Sequence, residues 1–314
     1  MKDDQPKKAK AEDTAAANTR SVGSNFRRLS RRGFMGHMVT GAVAAVVLPR
    51  AAIAAVPRGR TTLVIIGDST EVGFFIGRAD AEPTNIVHTG LCRKNGTTGT
   101  MFAALARELP STSNGTFKVN ADGSVSTVYK LRSGLTWHDG KPLTARDFIF
   151  GWKVMNDPKV PWRGSASSRL ASSMTAPDDL TLVIQWKKQQ WSVGALGMTD
   201  LVPLPAHLLE ESYRAGDYDG LIKLPYWNRR FVGAGPYKVV EWGDGDQLTL
   251  EAFANYALGR PKIDRIVYRF IPDRNAALAG ILSSEIDVSL NSALGFEQAV
   301  VAQQQWEAKG NGKV

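Results

Sequence analysis

Residues 63–66 (LVII) form a short apolar run rich in β-branched side chains and closed by Gly67-Asp68-Ser69. That pattern predicts a buried strand followed by a loop. From residue 116 the pattern alternates. Phe117 and Val119 are interleaved with polar residues, Asp122-Gly123 supplies a turn, and Val125, Val128, Tyr129 and Leu131 lead the return strand. Residues 174–186 repeat the hairpin pattern around Pro177-Asp178-Asp179, and residues 237–253 repeat it around Gly243-Asp244-Gly245-Asp246. Residues 135–137 predict another short extended piece, and residues 266–271 and 286–290 two further strands.

The apolar period becomes helical elsewhere. Thr144 stands as an N-cap with Asp147 in the first turn, and Pro158 ends the segment. Phe148, Trp152 and Met155 lie at i, i+4 and i+7, which predicts one buried stripe. Pro272-Asp273 opens a helix reaching about Ser283, residues 102–109 predict a short helix stopped by Pro110, and residues 201–209 read as a connector entering a helix. Residues 303–314 turn polar and Gly/Lys-rich. Hairpins mixed with helices, without a regular βαβ repeat, predict a mixed α/β (α+β) fold.

Residues 1–54 read differently. A charged, polar start leads to Ser30-Arg31-Arg32-Gly33-Phe34-Met35, then to the weakly apolar residues 39–48, and then to Ala52-Ile53-Ala54. Charged segment, short apolar run and small-x-small site form the three-part export signature, with cleavage expected between Ala54 and Ala55. The run is too short for a bilayer span, which needs about 17–25 apolar residues. Arg31, Arg32 and Phe34 resemble the twin-arginine motif S-R-R-x-F-L-K, with Met35 and Gly36 in the last two places.

The net charge of +9 suggests a nucleic-acid binder until it is located. Residues 1–54 hold 10 Lys and Arg against 4 Asp and Glu, leaving 29 against 26 in the remainder. A body that close to neutral, without a basic run, excludes a phosphate-tracking surface, so no nucleic-acid partner is expected. The single cysteine, Cys92, excludes an internal disulfide framework and reads as a small packing residue.

Few residues suggest chemistry. His138-Asp139 has no second histidine nearby in sequence, since His88 and His207 are remote, and reads as part of a turn. Asp244-Gly245-Asp246 begins like an EF-hand loop, but Thr249 and Asn255 stand where that loop needs Gly and an acid. Gly233-Ala234-Gly235-Pro236 departs from the dinucleotide fingerprint and reads as a close backbone turn. No cofactor, metal or catalytic centre is expected. Two segments suit a solute cleft: Asp68, Ser69 and Thr70 after the first strand, and Tyr226, Trp227 and Asn228 in a polar-aromatic loop. Core packing is the competing reading of Trp227.

Three segments in order carry a family likeness. YKLRSGLTWHDGKPLTARDFIFGWKVM (residues 129–155), VGAGPYKV (232–239) and YRFIPDRNAALAGILSSEIDV (268–288) resemble signatures of the bacterial extracellular solute-binding proteins of family 5, the dipeptide, oligopeptide and nickel type. Trp137 and Leu143 replace two usual Phe residues, Ala234 a Thr, Ala257 a Trp and Ser284 a Gly. The resemblance implies a two-lobed clamp holding solute between its lobes, with residues 55–285 forming a nearly complete first lobe and residues 286–314 the start of a truncated second. It further implies an exported, periplasmic component of an ABC importer that is not an enzyme. Its partners would be a peptide-like solute, a membrane permease and the twin-arginine translocase. An exported enzyme and a non-functional remnant are the competing expectations.

Overall fold

The computed structural model describes residues 61–67, 82–161, 164–188, 194–243, 247–290 and 293–314. The signal residues Arg31, Arg32 and Phe34, the cleavage pair Ala54 and Ala55, and Asp68, Ser69 and Thr70 lie outside them, as does the Asp244–Asp246 turn.

The first strand, β1 (Thr62–Gly67), is followed by a short helix α1 (Glu82–Val87) and a small antiparallel pair, β2 (Cys92–Lys94) and β3 (Met101–Ala103). Next comes the predicted hairpin, β4 (Phe117–Val119) and β5 (Val125–Lys130), and then helix α2 (Ala145–Asn156). A five-residue helix α3 (Ala166–Leu170) precedes the second hairpin, β6 (Ala171–Asp178) and β7 (Thr181–Trp186). The two hairpins merge into an antiparallel sheet of order β4-β5-β7-β6.

Helices α4 (Ala206–Arg214) and α5 (Tyr218–Lys223) lead to the third hairpin, β8 (Tyr237–Trp242) and β9 (Gln247–Ala252). Strand β10 (Arg265–Phe270), helix α6 (Arg274–Leu282), the short β11 (Val288–Ser289) and helix α7 (Phe296–Gln305) complete the described chain. The second sheet has the order β11-β1-β10-β9-β8, and β1 runs parallel to both its neighbours.

Strand β1 reads as an unbroken apolar run because both of its faces are covered. Ile65 points into a core shared with Leu248, Leu250, Ile266 and Tyr268 and with helices α2, α4 and α5. Val64 and Ile66 point the other way, onto Ala277 and Ile281 of α6. A third core lies on the four-stranded sheet around Trp137, Tyr129, Leu182 and Trp186.

Helix α2 begins as expected. Thr144 N donates to Asp147 at 2.8 Å and Arg146 N donates to the Thr144 hydroxyl at 3.3 Å. The single predicted stripe is divided, however. Phe148 enters the Trp137 core, Phe150, Val154 and Met155 enter the β1 core, and Trp152 is half-buried with its indole N–H on Ser168 O at 3.0 Å. The helix is wedged between two cores, so both of its sides are apolar. Gly151 marks the tightest approach, where a Cβ would sit 2.0 Å from Val202 O.

Residues 102–109 do not form the predicted helix. Their backbone bonds outward instead: Ala104 N to Leu91 O, Arg107 N to Lys130 O, and Leu105 O from Arg132 N. Helical spacing of small apolar residues is outweighed there by strand-like bonds to remote segments, which bury Ala104, Leu105 and Ala106. Cys92 is buried beside them, and burial pushes its thiol up to about 12, in keeping with a packing role.

The described elements belong to one compact unit, Val56–Val314. Within it, β11 is tied to β1 by a latch at Asp287. Val64 N donates to the Asp287 carboxylate at 2.7 Å, and Asp287 N donates back to Val64 O at 2.9 Å. Among the described residues, no helix is long and apolar enough to cross a membrane.

Helix α6 carries Asp273 as N-cap, accepting from Ala276 N at 2.7 Å, and ends on Ser284 at φ +60°. That left-handed position normally favours glycine. Replacing Ser284 by Gly relieves the Cβ strain at some cost in chain entropy, and is expected to raise stability by about 0.5–1 kcal/mol in urea unfolding. A lower midpoint for Ser284→Gly would contradict the strain argument.

Candidate functional site

Because β11, β1 and β10 are parallel neighbours, their carboxyl ends emerge along one edge of the sheet. Ile66 pairs with Ser289 and Gly67 with Phe270. Two further bonds align the exits, Leu290 N to Ile66 O at 3.0 Å and Ile271 N to Gly67 O at 3.3 Å. A crevice outside the carboxyl ends of adjacent parallel strands is where open sheets of this kind hold ligands. Asp68, Ser69 and Thr70 follow Gly67 in sequence and lie outside the described residues.

The second predicted segment is placed differently. Pro225–Trp227 is a single 3₁₀ turn whose aromatic side chains point inward. Trp227 is 1% exposed and donates its indole N–H to Leu221 O at 2.6 Å. Tyr226 is buried against it, ring centroids 4.7 Å apart and T-shaped, with Phe231 on its other side at 5.2 Å. Burial holds the Tyr226 hydroxyl well above its ordinary pKa. Of the three residues only Asn228 is at the surface, accepting from Arg229 N at 2.6 Å. The two large rings serve the β1 core, and neither presents an open face to solute.

Sequence separation concealed a further cluster. His88, which follows α1, is 3% exposed and lies between the rings of Trp137 and Phe231, each 5.8 Å away. Its Nδ1 accepts from Ala234 N at 3.1 Å, so its Nε2 carries the proton that reaches Pro203 O, also at 3.1 Å. His138 repeats the arrangement, Nδ1 accepting from Gly233 N at 3.2 Å and Nε2 donating to Gly235 O at 3.0 Å. Its ring packs on Phe253 at 4.9 Å. Desolvation lowers both histidines to about 4, so both are neutral near pH 7.

Asp139 does not pair with His138 as an acid–base couple. Its carboxylate meets His207 at 2.7 Å. His88 and His207 thus flank the Trp137–Asp139 turn that carries His138, although no sequence pattern linked the three. Two are engaged by backbone and the third by a carboxylate. Among the described residues, no group of three or more His, Cys, Asp or Glu is arranged to hold a metal ion.

Asp147 acts nearby. Besides capping α2 it accepts from Ala206 N, the first amide of α4, at 3.3 Å, so one carboxylate serves two helix starts. Burial raises its pKa, and the bonds from Thr144 and Ala206 work against that rise. Two surface clefts among the described residues involve none of the predicted solute residues, although Asp147 and His207 line the second. One, about 900 Å³, runs beside α2 and α3 past Trp152 and Arg169. The other, about 510 Å³, separates α2 from α4.

The described chain thus joins a mixed sheet with parallel neighbours at one edge to an antiparallel sheet. Residues 103–311 match the bacterial extracellular solute-binding proteins, family 5 (Middle), and the chain belongs to that family. It is 32% identical to the oligopeptide-binding protein AppA of Bacillus subtilis over 168 residues, covering 53% of this chain and 30% of AppA. The structure of AppA in complex with a nonapeptide superposes with a TM-score of 0.64 at 22% identity, over 78% of this chain and 46% of AppA. An oligopeptide-binding protein from Thermus thermophilus, complexed with a pentapeptide, superposes with a TM-score of 0.67 at 18% identity, over 76% and 46%. NikZ from Campylobacter jejuni, in complex with Ni(L-His), gives 0.64 at 22% identity, over 79% and 46%. The chain therefore spans less than half the length of these relatives. The shared fold agrees with the mixed α/β, binding-protein-like class expected from the sequence.

The V-G-A-G-P-Y segment sets the tightest steric condition around the clasped turn. A Cβ on Gly235 would lie 2.4 Å from His88 N and Val87 C, both backbone atoms. Gly235→Ala is expected to cost about 2–3 kcal/mol, read as a lower urea midpoint with unchanged slope.

Proposed function

We propose that this chain captures a peptide-like solute outside the cytoplasm and delivers it to the membrane permease of an ABC importer. Family membership across residues 103–311 is the observation that carries the reading. Support for a peptide-like solute comes from AppA and the Thermus protein, which hold a nonapeptide and a pentapeptide. Binding in such a clamp works by closing lobes over the solute, so affinity arises from a shift between open and closed populations and needs no bond-breaking step.

On this reading the solute lies outside the carboxyl ends of β1, β10 and β11, with Asp68, Ser69 and Thr70 at its rim and Asn228 as a further surface contact. Tyr226 and Trp227 act from behind, by holding the loop that carries Asn228. An Asp at the rim suits the ammonium end or a backbone amide of a peptide, and a charge-assisted hydrogen bond of that kind contributes about 1.5–3 kcal/mol. Calorimetric titration of the purified protein with di-, penta- and nonapeptides is expected to give saturable binding of at least one length. Asp68→Ala should weaken it by about tenfold or more. No saturable heat with any of the three would overturn the peptide reading.

We further propose export through the twin-arginine translocase, directed by Arg31, Arg32 and Phe34 and completed by cleavage between Ala54 and Ala55. Periplasmic fractions of cells making the wild type should contain protein beginning at Ala55. Replacing Arg31 and Arg32 together by Lys should leave it uncleaved in the cytoplasm. Undiminished export of the double variant would refute this route.

A further inference from the structure

The two clasping histidines bind backbone on both ring nitrogens, and only in one protonation state. His88 and His138 each accept a main-chain N–H at Nδ1 and donate from Nε2 to a main-chain carbonyl. Between them they hold Gly233, Ala234 and Gly235, the stretch over which the chain passes from the β1 core to the Trp137 core. Phe231 belongs to the first of these, Ala234 to the second, and Val232 touches both. Gly235 N also bonds Val87 O at 3.0 Å, and His138 N bonds Gly233 O at 2.9 Å. At this crossing the 233–235 segment is therefore stitched to its surroundings by two neutral imidazoles.

We propose that this seam is an acid-released joint: a proton on Nδ1 of His88 or His138 turns an acceptor into a donor facing another donor, and frees the 233–235 segment from its clasp. The chemistry is one of proton binding alone. Once Nδ1 carries hydrogen, neither Ala234 N–H nor Gly233 N–H has an acceptor there, and an imidazolium is left among Trp137, Phe231 and Phe253.

The surrounding charges set the direction. Lys238 disfavours a proton on His138 and Asp139 favours one, but Asp139 is engaged by His207. His138 disfavours a charge on His88. Asp147, which also interacts with Trp137 and His207, is occupied by Thr144 and Ala206. With the clasp closed, both rings titrate at about 4, against an ordinary value of 6.5 once they are free in water. The open form thus binds protons first. Closure is fully favoured above about pH 6.5 and is lost as pH falls toward 4, by up to about tenfold per pH unit for each histidine.

Imidazole ¹⁵N correlation spectra of the full chain test this, since it has only four histidines, His37, His88, His138 and His207. The expected result is that His88 and His138 are Nε2–H tautomers at pH 7 and stay unprotonated to about pH 5. At lower pH the Gly233 and Ala234 amide signals should move or broaden in step with protonation, while amides of the β5–β7 ladder persist. An Nδ1–H tautomer, titration near 6.5 with the segment undisturbed, or loss of all tertiary signals in one step would each overturn the joint. As a second arm, His138→Asn keeps an acceptor for Gly233 N and removes one titrating group. It should cut the acid dependence of seam opening from about a hundredfold to about tenfold per pH unit, and an unchanged slope would count against the proposal. Should that variant fail to fold, the wild-type titration alone decides.

Discussion

The structure depends on one close contact between backbones. Residues 233–235 lie so near Val87 and His88 that a Cβ on Gly233 would fall 2.0 Å from Val87 O, and one on Gly235 only 2.4 Å from His88 N. Two glycines around a single alanine make that approach possible, and the paired histidines satisfy the amides it buries. Orphaned buried N–H groups are expensive, so the approach and the imidazoles must occur together. Through this contact the hairpin of β8 and β9 is held against the Trp137 turn, and the two sheets are set in a fixed relation.

On that scaffold the parallel trio β11, β1 and β10 gains its meaning. Strand β1 can run inside the sheet, one strand from its edge, because both its faces are covered, and its exit is defined because Asp287 pins β11 in register. The Asp of the S-E-I-D motif thus acts as a main-chain substitute at the sheet margin. On the proposed reading, a site where these strands end inherits the rigidity of the strands behind it.

Buried acids also serve as joints. Asp147 holds the starts of α2 and α4 together, and so couples a helix lodged between two cores to the connector that packs beside it. The cost of burying its carboxyl is met by hydrogen bonds from amides that would otherwise lack partners. His88, His138 and Asp147 are all polar, all largely enclosed, and all bonded to main chain. The polar interior of this protein is therefore architecture.

Much of this was written in local pattern. All three hairpins, the capped start of α2, the Asp273 cap of α6 and strands β1 and β10 were legible because turn chemistry, capping and apolar period act over a few residues. The ordered family motifs were legible for the same reason. Residues 102–109 misled, since a run of small apolar residues suits a helix as well as a buried crossing, and bonds to Leu91 and Lys130 decided between them. Tyr226 and Trp227 suggested a platform, but a ring's facing is set by the space around it, and here that space is the core. The histidine clasp could not be read at all: His88 and Ala234 are separated by 146 positions, and His138 and Gly233 by 95. What the sequence by itself determined was the three hairpins, the capped helices α2 and α6, strands β1 and β10 and the family, because these rest on short-range physics and ordered motifs. Which side chains meet, which rings are hidden and which strand ends converge was decided only by the tertiary structure, where groups remote along the chain compete for the same space and the same hydrogen bonds.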